Sequence, residues 1–155
     1  MYFSIGGHPA FKVPLVNGTT YNDHYLEFSK AENAPRWPIA DGGLIKNEPT
    51  DFLKNTAKLP LTKDLFKDDA LVFKHLRSEM VSIKSTSHTH GLDFYLDGFP
   101  YLGIWAAKNA DFVCIEPWCG IADRVNHDQH LANKEGIETI QKGEDWSRTW
   151  KVKFY

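Results

Sequence analysis

Most of this chain is a succession of short, apolar-alternating runs, each ended within a few residues by glycine, proline, asparagine or aspartate. "HYLEFSK" (His24 to Lys30) alternates, and "DALVFKHL", "MVSIKS", "GLDFYLDG", "YLGIWAA", "DFVCIEPW" and "WKVKFY" follow it. A period of two sends successive side chains to opposite faces of a strand. Runs this short, spaced by turn residues, predict an all-β fold, an antiparallel β-sandwich or barrel. No long amphipathic helix interrupts them. "PLTKDLF" (Pro60 to Phe66) supports one helical turn with Thr62 as N-cap. Two stretches read as irregular, "KAENAPRWPIADGGLIKNEPTDF" and the long polar "GIADRVNHDQHLANKEG". The second leaves directly from "CIEPW", and loops of that length in a compact domain are often functional. With 155 residues, no repeat and no linker, residues 1–155 read as one domain.

Composition removes several function classes. A net charge of −2 and the lack of any Lys/Arg run argue against nucleic acid and anionic membrane surfaces as partners. No apolar run reaches membrane-spanning length, and the first residues lack the charged-then-apolar shape of a signal peptide. The two cysteines, Cys114 and Cys119 in "CIEPWC", form neither a C-x-x-C motif nor half of a zinc site, so both read as free thiols. Those features predict a cytoplasmic protein. Aromatics make up 14% of the chain, enough both to fill a core and to line a cleft where sugar C–H faces pack on rings.

Two residues stand out chemically. "FSIGGHPAF" (Phe3 to Phe11) runs a strand-like start into two glycines, then His8, then Pro9, which interrupts ladder pairing. His8 at that strand end is either a structural histidine or a proton-transfer group at a pocket rim. Glu116 ends the apolar run "DFVCIE", with Pro117 expected to stop the strand and Trp118 beside it. Partial desolvation there would raise its pKa toward that of a general base; a solvated or backbone-capping carboxylate is the competing reading. "HTH" (His88, His90) and "HDQH" (His127, His130) raise a metal-site reading, but "STSHTHG" reads better as a polar hairpin turn with exposed histidines. Asp68 and Asp69, in "KDDALVF", read as turn acids ahead of a strand. No nucleophile elbow and no phosphate-cradling glycine loop is present.

"GGHPAF" near one end, "FVCIEPWCGIAD" about a hundred residues on, "GFPYLGIWAA" before it and "IQKGEDWSRTWKVKF" after it together resemble the aldose 1-epimerase (galactose mutarotase-like) superfamily, in its LacX-like branch. The resemblance spans essentially the whole chain. It implies an antiparallel supersandwich that binds a hexose or hexose-containing sugar in an open cleft. It implies His8 as the acid that protonates the ring oxygen and Glu116 as the base at the anomeric hydroxyl, with no metal and no cofactor. Asp69, with Asp68 the alternative, matches the family's sugar-holding aspartate. Trp118, Phe11 and Trp105 are candidates for packing on the sugar face. Family members are roughly twice as long, so the chain is expected to correspond to the C-terminal half of the fold. A homodimer, or pairing with a missing N-terminal half, would then cover exposed strand edges. The function expected is an aldose 1-epimerase. The alternatives are a non-catalytic carbohydrate-binding protein of the same fold and a metal-dependent β-barrel enzyme.

Overall fold

The computed structural model describes residues 1–155. Twelve strands follow in order: β1 (Tyr2–Phe3), β2 (Ile5–Gly6), β3 (Ala10–Lys12), β4 (His24–Arg36), β5 (Thr50–Pro60) and β6 (Leu71–Lys74). After them come β7 (Met80–Ser85), β8 (Leu92–Tyr95), β9 (Tyr101–Trp105), β10 (Phe112–Cys119), β11 (Glu138–Thr139) and β12 (Lys151–Phe154). The only helical segments are short 3-10 turns, among them Lys63–Phe66 with Thr62 before it, which makes no side-chain cap bond. No helix is long and apolar enough to cross a membrane.

The strands form two antiparallel five-stranded sheets and a small clip. One sheet runs β12-β8-β7-β4-β5; the other runs β10-β9-β6, with β2 and β3 both paired to the free side of β10. The β1–β11 pair forms the clip. The sheets face each other across a core of 21 buried residues. Phe28 meets Phe73 edge-to-face at 6.2 Å and Phe11 meets Phe94 at 6.0 Å, so aromatic pairs bridge the two layers.

The second sheet is covered on its outer face as well. Val113 and Ile115 of β10, with Leu102 and Ile104 of β9, point into the core. The intervening residues point outward and meet a smaller cluster of Ile45, Val72, Tyr101 and Ile121, to which Trp37, Ile39 and Trp118 add. Two segments supply this cover. The turn around Gly42 and Gly43 folds residues 38–46 back on themselves through Lys46 N–H donating to Pro38 O. The long polar loop after β10 runs beside it, with Ile45 N–H donating to Asp123 O and Val125 N–H to Ile45 O. Burial on both faces explains why "FVCIEPWC" lacks the apolar-polar alternation of a half-exposed strand.

Three expectations are corrected here. The first irregular stretch is strand at both ends: β4 extends to Arg36 and β5 begins at Thr50, with an irregular turn between them. Beyond Phe28, β4 has parted from β7 and its pairing with β5 is broken by register shifts, so Pro35 is tolerated. Pro117 does not stop β10, which continues to Cys119. Ile115 N–H donates to Pro9 O and Pro117 O accepts from Gly7 N–H, so both residues face the stretch joining β2 to β3. The missing N–H of Pro117 therefore falls at a break in the neighbouring strand, not in a continuous ladder. Finally, of the two histidines in the 86–91 hairpin turn His90 is exposed as expected but His88 is not: its Nε2 lies 3.2 Å from Nε2 of the buried His24, and its Nδ1 is buried without a partner.

Candidate functional site

Register alone brings the two chemically conspicuous residues together. β2 and β3 share one alignment along β10, with Gly6 opposite Trp118 and Ala10 opposite Cys114. His8 lies between them and so falls opposite Glu116, which faces Gly103 of β9 on its other side. His8 Nε2 is 3.4 Å from Glu116 Oε1. The partners differ in environment: the His8 side chain is 60% exposed and that of Glu116 only 7%. Burial raises the Glu116 pKa above the ordinary carboxylate value; the His8 charge and a hydrogen bond from the Trp118 indole oppose the shift without cancelling it. The pair thus combines a solvent-accessible imidazole with a carboxylate made more basic by its surroundings.

Trp118 forms the floor beside them, and two glycines make that possible. A Cβ on Gly6 would come within 2.5 Å of the indole Cδ1, and one on Gly103 within 2.4 Å of its outer ring carbons. The indole therefore lies flat across β10, on backbone left bare by the strand on each side. His8, Glu116 and Trp118 line an open cleft of about 460 Å³, with Ile39 and Ile121 as apolar walls and Lys134 at its margin. That volume lies within the ~300–1,000 Å³ typical of small-molecule sites. A second concavity of similar size, formed by residues 123–135 of the polar loop, has almost no apolar lining and no aromatic face on which a ring could pack. Chemistry favours the first.

The other expected site residues distribute unevenly. Trp105 stands edge-on to His8 with ring centroids 5.9 Å apart, at the flank of the pair. Phe11 packs against the core between the sheets. Asp69 lies outside the cleft lining, in a turn before β6 with a left-handed backbone (φ 86°), its carboxylate accepting from Ala70 N–H at 2.7 Å. Asp68 Oδ2 is 3.8 Å from Arg36 Nη2 on the surface.

Two groups at the site were not singled out from the sequence as site residues. Cys114 projects from β10 on the same face as Glu116, and burial together with the Glu116 charge pushes its thiol up to about 11. Lys134 is carried in by the polar loop, where it donates to Asp123 Oδ1 at 3.0 Å. The loop is clasped by Glu135, which accepts from Lys74 Nζ at 2.8 Å and Arg124 Nε at 2.9 Å, with Lys74 Nζ 3.7 Å from the Trp37 ring centroid. The length of the loop hinted at function, but nothing in its composition distinguished Lys134 from its neighbours.

No family model matches the chain. Over 143 residues it is 35% identical to the LacX protein of Lactococcus lactis subsp. lactis, an alignment covering 90% of this chain and 48% of that protein. Among solved structures, a galactose mutarotase related enzyme from Lactobacillus acidophilus superposes over the full chain with TM-score 0.91 and 31% identity, this chain covering 52% of it. A galactose mutarotase-like protein from Lactobacillus casei superposes with TM-score 0.87 and 26% identity, 54% of it covered. The chain spans about half the length of each of these relatives.

Proposed function

The chain belongs to the galactose mutarotase-like superfamily, in its LacX-like branch, and from that membership we propose that it interconverts the α and β anomers of a hexose by acid–base ring opening and reclosure. What carries this reading is the 3.4 Å approach of His8 to a buried, basic Glu116 at the wall of a cleft floored by an indole. The ring oxygen and the anomeric hydroxyl of a hexose are bonded to the same carbon. Two groups that serve them must therefore sit side by side, as neighbouring cross-strand positions do.

In the forward step Glu116 accepts the proton of the anomeric hydroxyl while protonated His8 donates to the ring oxygen. The C1–O5 bond breaks and the open-chain aldehyde forms. Rotation about C1–C2 presents the other carbonyl face. The 5-hydroxyl then returns its proton to His8 as it attacks, and Glu116 reprotonates the new anomeric oxygen. Protons balance over the cycle, so one imidazole and one carboxylate suffice. The Trp118 indole would hold the apolar face of the sugar ring, keeping C1 over the pair.

Polarimetry of freshly dissolved α-D-glucose and α-D-galactose tests the proposal. The expected result is accelerated decay of rotation with the wild-type chain. His8→Ala and Glu116→Ala should each lower that acceleration by about 10²–10⁴-fold, the usual contribution of a positioned acid or base. An unchanged rate in either variant removes that residue from the mechanism. Saturable sugar binding without acceleration by the wild type would make the chain a carbohydrate-binding member of the fold.

A further inference from the structure

The outer face of β10 carries one group that the proposed reaction does not use. Cys114 is two residues from Glu116, so it points to the same side of the sheet, away from the core face of Val113 and Ile115. It is a free, buried thiol. A buried cysteine is most simply a small apolar filler, but here a carboxylate and an imidazole stand close to the sulfur as well. The Cys114 sulfur, a Glu116 oxygen and a His8 ring nitrogen all lie within 4.8 Å of one another.

We propose that His8, Cys114 and Glu116 form a site for a thiophilic divalent cation of the Zn²⁺ class, and that its binding blocks the proton-transfer pair. The donor set is one nitrogen, one sulfur and one oxygen, all groups that Zn²⁺ accepts. Bonds of about 2.0–2.3 Å to tetrahedral ligands set the donors roughly 3.3–3.7 Å apart. The His8–Glu116 separation of 3.4 Å is already such an edge. The exposed His8 side chain is free to close the edge to Cys114, and a rotation of the Glu116 carboxylate closes the edge between it and the sulfur, all three donors already lying within 4.8 Å. His8 and Glu116 both line the cleft, so a fourth ligand would come from there as water or a sugar hydroxyl. On binding, the thiol releases its proton to solvent and the thiolate bonds the metal. The ring nitrogen and a carboxylate oxygen that would move protons become ligands instead. The expected regulation is therefore inhibition, relieved by a chelator.

The blockade rests on the epimerase reading; the metal site does not. The experiment separates them by titrating chelator-treated protein with Co²⁺, then with Zn²⁺ by calorimetry, and comparing Cys114→Ser and His8→Ala. Circular dichroism would confirm that each variant folds, and His8→Ala carries the test if Cys114→Ser does not. One equivalent of Co²⁺ should give a thiolate-to-metal charge-transfer band in the near ultraviolet, absent from Cys114→Ser. Either variant should weaken Zn²⁺ binding by on the order of tenfold or more, since loss of outer-sphere partners alone costs that much. Saturating Zn²⁺ should raise the melting temperature by linkage and suppress anomer exchange until chelator is added. The absence of a thiolate band, or binding unmoved by both substitutions, overturns the site. Binding with undiminished exchange overturns the blockade. Binding as described by a chain that never exchanges anomers upholds the site and sinks the epimerase reading instead.

Discussion

Glu116 combines two demands that pull in opposite directions. Burial makes its carboxylate more basic, which suits a proton acceptor, and the same burial makes the charged form costly to the fold. Because the folded-state pKa lies above that of the unfolded chain, the native state holds its proton longer. The associated stability is fully present below the unfolded pKa and is lost as pH rises through the folded one. In chelator-treated protein, Glu116→Gln should therefore gain urea midpoint over wild type as the pH is raised above the ordinary carboxylate value. A gap that narrows with rising pH would contradict the burial argument. Gly103 makes a second residue-scale prediction. Alanine there drives a methyl into the outer ring carbons of Trp118, a half-buried side chain that can swing into the cleft. The cost to stability should be about 1 kcal/mol, at the low end for overpacking, while the Michaelis constant for sugar rises far more than the midpoint falls. Since a Cβ at 2.4 Å forces the indole to shift, unchanged sugar binding would mean that the floor contributes nothing. His8 and Glu116 were legible in the sequence because glycines and prolines frame them. The seat of Trp118 was not, because the bareness of Gly103 matters only once the register sets it diagonally beneath the indole.

At the scale of elements, the outer cover of the second sheet depends on one clasp. Burial pushes the Glu135 carboxyl up, but hydrogen bonds from Lys74 and Arg124 outweigh it and hold the pKa below the usual carboxylate value. The Lys74 side chain is only 6% exposed, so burial dominates there and lowers its pKa. Removing the carboxylate strands that ammonium beneath Trp37. Glu135→Gln should cost about 1–3 kcal/mol, with hydrogen exchange rising first in residues 120–137. Adding Lys74→Met should recover part of the loss, since the uncompensated charge goes with it. The sign of the pH effect follows from the depressed pKa: stability from the clasp is present above the unfolded value and lost as pH falls through the folded one. If Glu135→Gln shows the wild-type acid response, the clasp is not what titrates. Strand existence was readable from period-two runs, and the long loop was readable from the lack of any period. The far half of β4 and all of β5 were hidden because Asn33, Pro35 and Asn55 resemble loop residues. An irregular, bulged pairing accepts them where a continuous ladder would not. The outer cover was equally invisible, since Ile39, Ile45 and Ile121 sit in stretches with no strand or helix period and are brought together only by the fold.

At the scale of the whole molecule, the two members of the proposed pair have unequal foundations. Glu116 stands on β10, bonded on both sides within the sandwich. His8 hangs between two strands of two and three residues, about a hundred residues away in sequence. Segments so short open locally at a fraction of the global cost. The β1–β11 clip and the edge-on contact of Phe3 with Trp146 at 5.2 Å reinforce the few bonds to β10 that hold this segment. Phe3→Ala should therefore lower anomer exchange and deprotect residues 3–8 to hydrogen exchange, with the sandwich melting transition shifted by no more than about 3 °C. A melting loss as large as the activity loss would mean that the front segment and the core unfold as one. The clip thus sets a working ceiling for the proposed exchange: on slow heating it would fall silent while the circular dichroism is still that of an intact sandwich, and on cooling it would start again without the sandwich having refolded.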